Sequence, residues 1–166
     1  YYKGGGTNAG YWDYATQSDT APTAVTADST GIGSAGSTGN FANYNSAAVW
    51  NGQTGNVTTV GTNGGASAYG AFDMSGNVEE WNDLTGAAGS TRGRRGGDWN
   101  SGGAFNLSSS GRYSNDPSDE FSAVGFRLAS TDAAPIPEPG TWAAMAIFAA
   151  GAAYAGWRRR KSAKVA

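Results

Sequence analysis

The chain has 166 residues, a net charge of −2 and 27 glycines, so it has room for one domain with a modest core and much turn and loop. Neither cysteine nor histidine occurs, which excludes disulfides, thiolate nucleophiles, imidazole bases and the usual zinc and iron ligands from this sequence. Six Trp, eight Tyr and six Phe argue against disorder and predict an aromatic core, because these side chains bury large areas when a chain folds.

Charge is distributed unevenly along the chain. Residues 1–134 carry 12 of the 13 acidic side chains but 6 of the 11 basic ones, and five basic residues lie within the last nine positions. An acidic body disfavours nucleic acid as a partner, and the basic residues mark the tail as a separate segment. The sequence therefore predicts an acidic globular body with no nucleic-acid partner.

The first sixty residues predict short strands joined by turns. Residues 1–19 are aromatic and rich in glycine, and residues 22–39 form a low-complexity Thr/Ser/Ala/Gly segment that we interpret as a surface loop. Residues 41–50 and 55–60 contain enough aromatic and β-branched side chains for short strand or turn pieces. No helical period occurs before residue 140.

Residues 70–81, GAFDMSGNVEEW, form the most informative segment of the chain. The carboxylates of Asp73 and Glu80 flank backbone that glycine leaves free to bend. A hard cation requires several oxygens from carboxylates, amides and main-chain carbonyls, so the segment is suited to bind one. The alternative is a surface turn followed by a short strand or helix, with Trp81 in the core.

The rest of the body contains four short segments. Residues 85–95 are interpreted as a Gly/Thr/Arg loop, followed by GGDWN at residues 96–100 and RYSNDP at residues 112–117. VGFRLA at residues 124–129 is the one segment here with the composition of an ordinary buried strand.

The tail predicts a membrane anchor. Three of the five prolines lie within residues 131–139 and predict a stiff spacer. Residues 140–157 carry no charge and, as a helix, would be about 27 Å long, slightly short of the ~30 Å hydrocarbon core. We therefore expect a transmembrane helix there and a basic cytoplasmic tail at residues 158–166. The alternative is a buried alanine-rich helix of a soluble domain.

The tail contains, in this order, Pro-Glu-Pro at residues 137–139, a short apolar segment and a cluster of arginines. This order resembles the PEP-CTERM sorting signal of Gram-negative bacteria. That resemblance implies export, transient anchoring in the inner membrane with the body outside the cytoplasm, and cleavage near Pro-Glu-Pro by an exosortase-type protease. The body would then be released to the cell surface or the extracellular matrix. A secretion peptide is expected upstream. The residues that carry the signal are Pro137, Glu138, Pro139, Arg158, Arg159 and Arg160.

Four motifs of the body, in chain order, resemble the C-terminal half of the formylglycine-generating (sulfatase-modifying factor) family. They are GAFDMSGNVEEW, an RGG-aromatic segment, RYSNDP and GFRLA. The resemblance implies an α+β class, with an irregular, loop-rich, C-type-lectin-like fold over residues 1–130, to which the tail adds one C-terminal hydrophobic helix. It also implies that the N-terminal half of the domain is missing from this sequence.

In that family, the segment that matches residues 73–80 binds structural calcium. The resemblance assigns side-chain ligands to Asp73 and Glu80, and main-chain carbonyl ligands to Met74, Gly76 and Val78. A second calcium site is suggested at Asn43 and Tyr44.

The catalytic centre of the family does not carry over. Its two copper-binding cysteines correspond to Ser101 and Asn106, counted from Gly96-Gly97, and a hydroxyl and an amide cannot replace two thiolates at a soft Cu(I) site. We therefore expect no copper and assign no catalytic residue. The degenerate active-site groove would be lined by Asp98, Trp99, Ser101, Asn106 and Arg112. Ordinary packing with one ion pair is the alternative for Asp98, Trp99 and Arg112.

Three functions remain open at this stage. The first is a non-catalytic surface protein that binds a ligand such as a matrix polysaccharide. The second is a metal-dependent oxidoreductase of the same family, with catalytic residues in the missing half; histidines, or carboxylates with metal-ligand spacing, in that half would favour it. The third is a structural or adhesive matrix component, which failure of a glycan screen with retained matrix localisation would favour.

Overall fold

The computed structural model describes residues 1–3, 9–82 and 91–127. The chain divides into two units after Leu128, and all described residues belong to the first. The predicted spacer, hydrophobic helix and basic tail at residues 131–166 lie outside the described residues. None of the described residues belongs to a helix that could span a lipid bilayer.

A four-stranded sheet forms the larger regular element. Its strands are β3 (Glu79–Asn82), β4 (Arg92–Arg95), β5 (Tyr113–Asn115) and β6 (Val124–Gly125), in the order β5-β4-β3-β6. β4 is antiparallel to both β3 and β5, whereas β3 and β6 are parallel, with Glu80 opposite Gly125. The predicted loop at residues 85–95 thus ends in a strand, and the strand predicted at residues 124–129 has two residues, both half-buried.

A second, two-stranded sheet pairs β1 (Thr23–Ala24) with β2 (Phe41–Ala42) in parallel. The prediction of a plain surface loop over residues 22–39 was therefore partly wrong. Val25, directly after β1, is buried, and its N–H donates to the carbonyl of Ala42 at 3.0 Å. Composition alone does not reveal this pairing, because two residues are too few for a periodic pattern.

The irregular, loop-rich fold is confirmed, but the α part of the α+β class is not found in the part of the chain that the structure describes. Helix there is limited to one 3₁₀ turn, Ala104–Leu107. Eleven described glycines at residues 31–97 adopt positive φ, as does Gly10, and so terminate regular structure at short intervals. The C-type-lectin-like topology stays a prediction.

The prediction of an aromatic core was wrong for the described residues. The buried side chains are small, apolar or polar: Ala15, Pro22, Val25, Ala42, Ala48, Leu107, Asn43, Thr58, Asn63, Ser67, Asp73, Ser75, Asn77, Glu79 and Ser108. A body made of turns leaves many main-chain groups without ladder partners, and amide, hydroxyl and carboxylate side chains inside the body supply them.

A chain of buried polar side chains runs through this interior and ends at Asp73. Asn77 Oδ1 accepts hydrogen bonds from Asn43 Nδ2 at 3.1 Å and from the Thr58 N–H at 2.9 Å. Thr58 Oγ1 donates to Asn63 Oδ1 at 2.7 Å, and Asn63 Nδ2 donates to Asp73 Oδ1 at 3.0 Å. The loops at residues 43, 58, 63 and 73 are therefore held together by one network.

Candidate functional site

Asp73 begins the segment to which the family resemblance assigns calcium, and its side chain is buried in the body. Its φ of 56° is left-handed. Oδ2 accepts a hydrogen bond from the Gly61 N–H at 2.9 Å, while Oδ1 accepts the bond from Asn63. The carboxylate is thus held by one other loop, which supplies both donors.

Glu80 lies on β3, seven positions further along the chain, and pairs with an arginine that follows β6. Arg127 Nε donates to Glu80 Oε1, and Arg127 Nη2 donates to the main-chain carbonyl of Asp73 at 3.3 Å. Burial raises the pKa of the Glu80 carboxyl; Arg127 acts in the opposite direction, and the nearby Asp73 carboxylate raises the pKa again. One guanidinium therefore joins the two ends of the predicted calcium segment.

The donor chemistry of this segment fits calcium, which prefers carboxylate and carbonyl oxygens. In the described ranges no three His, Cys, Asp or Glu side chains lie together in a way that could hold a metal, so main-chain oxygens would have to complete the shell. One buried acceptor beside the segment, Asn43 Oδ1, has no hydrogen-bond partner in the structure. A cation or a buried water would satisfy it.

A second buried ion pair lies on the same strand and was missed by the sequence analysis. Arg94 Nη1 on β4 donates to Glu79 Oε2, with side-chain exposures of 17% and 8%. The Arg94 guanidinium also lies 5.2 Å from the ring centroid of Phe121. Consecutive residues of a strand point to opposite faces, so Glu79 and Glu80 each require their own arginine. The adjacent glutamates at residues 79 and 80 could have indicated this second ion pair from the sequence.

Among the residues of the predicted degenerate groove, Asp98 and Ser101 bond to each other, whereas Asn106 and Trp99 contact residues outside this set. Ser101 Oγ donates to Asp98 Oδ1 at 3.0 Å and accepts the Asp98 N–H at 3.0 Å, which closes a turn. Asn106 Oδ1 accepts a hydrogen bond from Tyr113 Oη. Trp99 packs over Gly55, where an added Cβ would lie 2.9 Å from Trp99 Cε3. Ser101 and Asn106 are therefore engaged with different neighbours.

Arg112 lies elsewhere, in a cleft of about 610 Å³ that we call the tyrosine cleft. The lining residues are Tyr1, Tyr2, Tyr11, Tyr69, Arg95, Ser109 and Arg112. They come from five separate stretches of the chain, so only the aromatic content of residues 1–19 hinted at this cleft.

The family model of the sulfatase-modifying factor enzyme 1-like domain matches residues 3–132. The chain belongs to the sulfatase-modifying factor family. The PEP-CTERM protein-sorting motif matches residues 135–161, directly after this domain. Neither a curated protein nor a solved structure matches the chain. Both resemblances drawn from the sequence are thus confirmed.

The sorting motif determines the route of this sulfatase-modifying factor domain. A PEP-CTERM signal implies export, membrane-anchored sorting and processing by an exosortase, which is a membrane protease. The protein is therefore an exosortase-sorted surface protein.

Proposed function

We propose that the sulfatase-modifying factor domain of this chain is a non-catalytic binding module that is displayed outside the cell. The observation that carries this proposal concerns the positions that the resemblance gives to the copper-binding cysteines. Ser101 is hydrogen-bonded to Asp98, and Asn106 to Tyr113. Neither side chain offers the soft thiolate donor that Cu(I) requires, and the sequence contains no cysteine.

The proposed ligand is a polysaccharide of the surrounding matrix. Ligand sites are concave and combine aromatic walls with a few polar groups. The tyrosine cleft has this character, since four Tyr rings share it with two Arg and one Ser.

Calcium is the proposed structural ion of the domain. Asp73 and Glu80 would bind it by side chain, and Met74, Gly76 and Val78 by main-chain carbonyl. Support comes from the Asp73 carboxylate, which is near enough to raise the pKa of Glu80, and from Arg127, a cation that contacts the Glu80 carboxylate and the main-chain carbonyl of Asp73. Calcium would compete with that guanidinium for Glu80.

Two assays on the exported chain test the binding function. With Cu(I) and oxygen supplied, we expect no aldehyde from a cysteine-containing peptide, whereas measurable turnover would contradict the non-catalytic role. In the second assay, we expect the chain to be retained on isolated matrix polysaccharide. Failure of retention, with the protein still localised to the matrix, would identify a structural matrix component instead.

Thermal unfolding in calcium and in EDTA tests the structural ion. Calcium at 100 times its dissociation constant adds about 2.7 kcal/mol to the free energy of unfolding, which raises the midpoint of thermal unfolding by several degrees. We expect Asp73→Ala to abolish this increase and Glu120→Ala, which removes an exposed carboxylate, to preserve it. An increase that persists in Asp73→Ala would contradict the assigned site.

A further inference from the structure

The tyrosine cleft presents more aromatic surface than packing requires. The ring of Tyr2 lies 6.0 Å from that of Tyr11 at 60°, and 6.2 Å from that of Tyr69 at 23°. Tyr11 and Tyr69 are 71% and 78% exposed. Grouped, exposed aromatic rings mark binding surfaces, because their area stays in contact with water until a ligand covers it.

Hydrogen bonds hold the Tyr1 ring and the backbone of residues 1–2 and 11–12, which carry part of the aromatic wall. Tyr2 and Tyr11 face each other in an antiparallel bridge, and the Trp12 N–H donates to the carbonyl of Tyr1 at 2.6 Å. Tyr1 Oη donates to the main-chain carbonyl of Leu107 at 2.9 Å. The part of the wall that is held in this way loses little conformational entropy when it binds, which favours affinity.

Positive charge is concentrated beside this wall. Arg95 Nη1 donates to the carbonyl of Ser109 at 2.8 Å, which holds its guanidinium at the cleft. Arg112 is exposed, and no described residue pairs with it. Lys3, Arg94 and Arg127, in contrast, are each paired with a carboxylate. Guanidinium groups bind carboxylate and sulfate through charge-assisted, often bidentate hydrogen bonds.

The acidic body limits the kind of anion that can bind. Residues 1–134 carry 12 acidic and 6 basic side chains, so a long polyanion such as nucleic acid would be repelled outside the cleft. A short anionic group on an otherwise uncharged, ring-shaped ligand avoids this repulsion. Sugar rings present apolar faces that stack on tyrosine.

We infer that the tyrosine cleft binds an anionic saccharide, with sugar rings against Tyr11 and Tyr69 and the anionic group at Arg112. This inference rests on the proposed binding function and adds the site and the class of sugar. The shared chemistry is a sugar ring with a carboxylate or a sulfate, and the experiment distinguishes these two sources.

Calorimetric titration of the exported chain with three size-matched oligosaccharides tests the inference. The three share a neutral sugar backbone: one carries a single uronate, one carries a single sulfate, and one carries no charge. We expect one or both anionic oligomers to bind, and the neutral one to bind roughly tenfold more weakly or worse. Equal affinity for the neutral oligomer, or no binding of any of the three, would overturn the inference.

Matched variants locate the site. We expect Arg112→Gln and Tyr69→Ala each to weaken binding by roughly tenfold or more. Arg92→Gln makes the same charge change in a different cavity, and Phe105→Ala removes an exposed ring outside the cleft, so both should bind as the unaltered chain does. An equal loss in these controls would overturn the assignment.

The same variants separate this inference from the broader function. If Tyr69→Ala/Arg112→Gln still adheres to isolated matrix polysaccharide, the binding function stands and the cleft assignment fails. If the unaltered chain binds the anionic oligomers but also turns over a cysteine peptide, the cleft assignment stands and the non-catalytic function fails.

Discussion

Glu80 and Arg127, 47 residues apart in the sequence, form an ion pair that ties the proposed calcium segment to the end of the described body. The same guanidinium donates to the main-chain carbonyl of Asp73. The pair thus neutralises a carboxylate that burial makes costly to ionise.

Removal of the Arg127 charge should strengthen calcium binding. We expect Arg127→Gln to lower the calcium dissociation constant by roughly tenfold, because a competing cation then no longer contacts a ligand carboxylate. Calorimetric titration with calcium measures the effect, and Arg92→Gln controls for the change in net charge. Unchanged affinity in Arg127→Gln would mean that the guanidinium and calcium do not share Glu80.

The Glu79–Arg94 pair should matter mainly because its loss leaves a charge uncompensated. Arg94→Met leaves Glu79 buried without its partner, at a cost of about 3–5 kcal/mol in the free energy of unfolding. Glu79→Leu/Arg94→Met should cost much less, because both charges are removed together. Urea denaturation of the single and double variants measures this difference, and additive costs would show that the pair is not coupled.

Stability should decrease as pH rises through the titration of Glu79 and Glu80. Burial raises both pKa values above 4.5 in the folded protein, so the folded state binds protons that the unfolded state has already released. The contribution of these two carboxyls to the free energy of unfolding is therefore complete below pH ~4.5, and it is lost as pH rises through their raised pKa values. Urea midpoints measured in EDTA from pH 4.5 to 7.5 test this, and Glu79→Gln should reduce the slope. If Glu79→Gln leaves the slope unaltered, the pH dependence of stability comes from other groups.

Gly76 should be intolerant of a side chain because two loops meet there. An added Cβ would lie 2.3 Å from the main-chain oxygen of Asn43, and φ is +81°. Gly52 provides the matched control, with φ of +71° and open space around it. Gly52→Ala should cost about 1–2 kcal/mol from the left-handed backbone alone. Gly76→Ala should lower the free energy of unfolding clearly more, as measured by thermal unfolding. Equal losses in the two variants would exclude the steric contact with Asn43.

The sequence predicts features that short stretches encode. The glycines and carboxylates of residues 70–81 are contiguous, so the turn and its two acidic ends are visible without the fold. The resemblance and the sorting motif depend on equally local patterns.

Features assembled from distant loops could not be predicted. The tyrosine cleft combines Tyr1 with Tyr69 and Arg112, and β6 pairs with β3 across more than forty residues, without any shared periodicity. The prediction of an aromatic core was wrong for a related physical reason. In a body made of turns, unpaired main-chain groups draw side chains such as Asn43 and Thr58 inside, while Tyr11 and Tyr69 remain at the surface.

The parallel strand β6 is followed by the sorting motif at residues 135–161. While the protein is held by that motif, a mechanical load on the body enters through this connection. The load then reaches two residues of β6 and the Glu80–Arg127 pair before the rest of the sheet. Exosortase processing that separates the motif from the body would remove that load and leave the strand and its ion pair with the body.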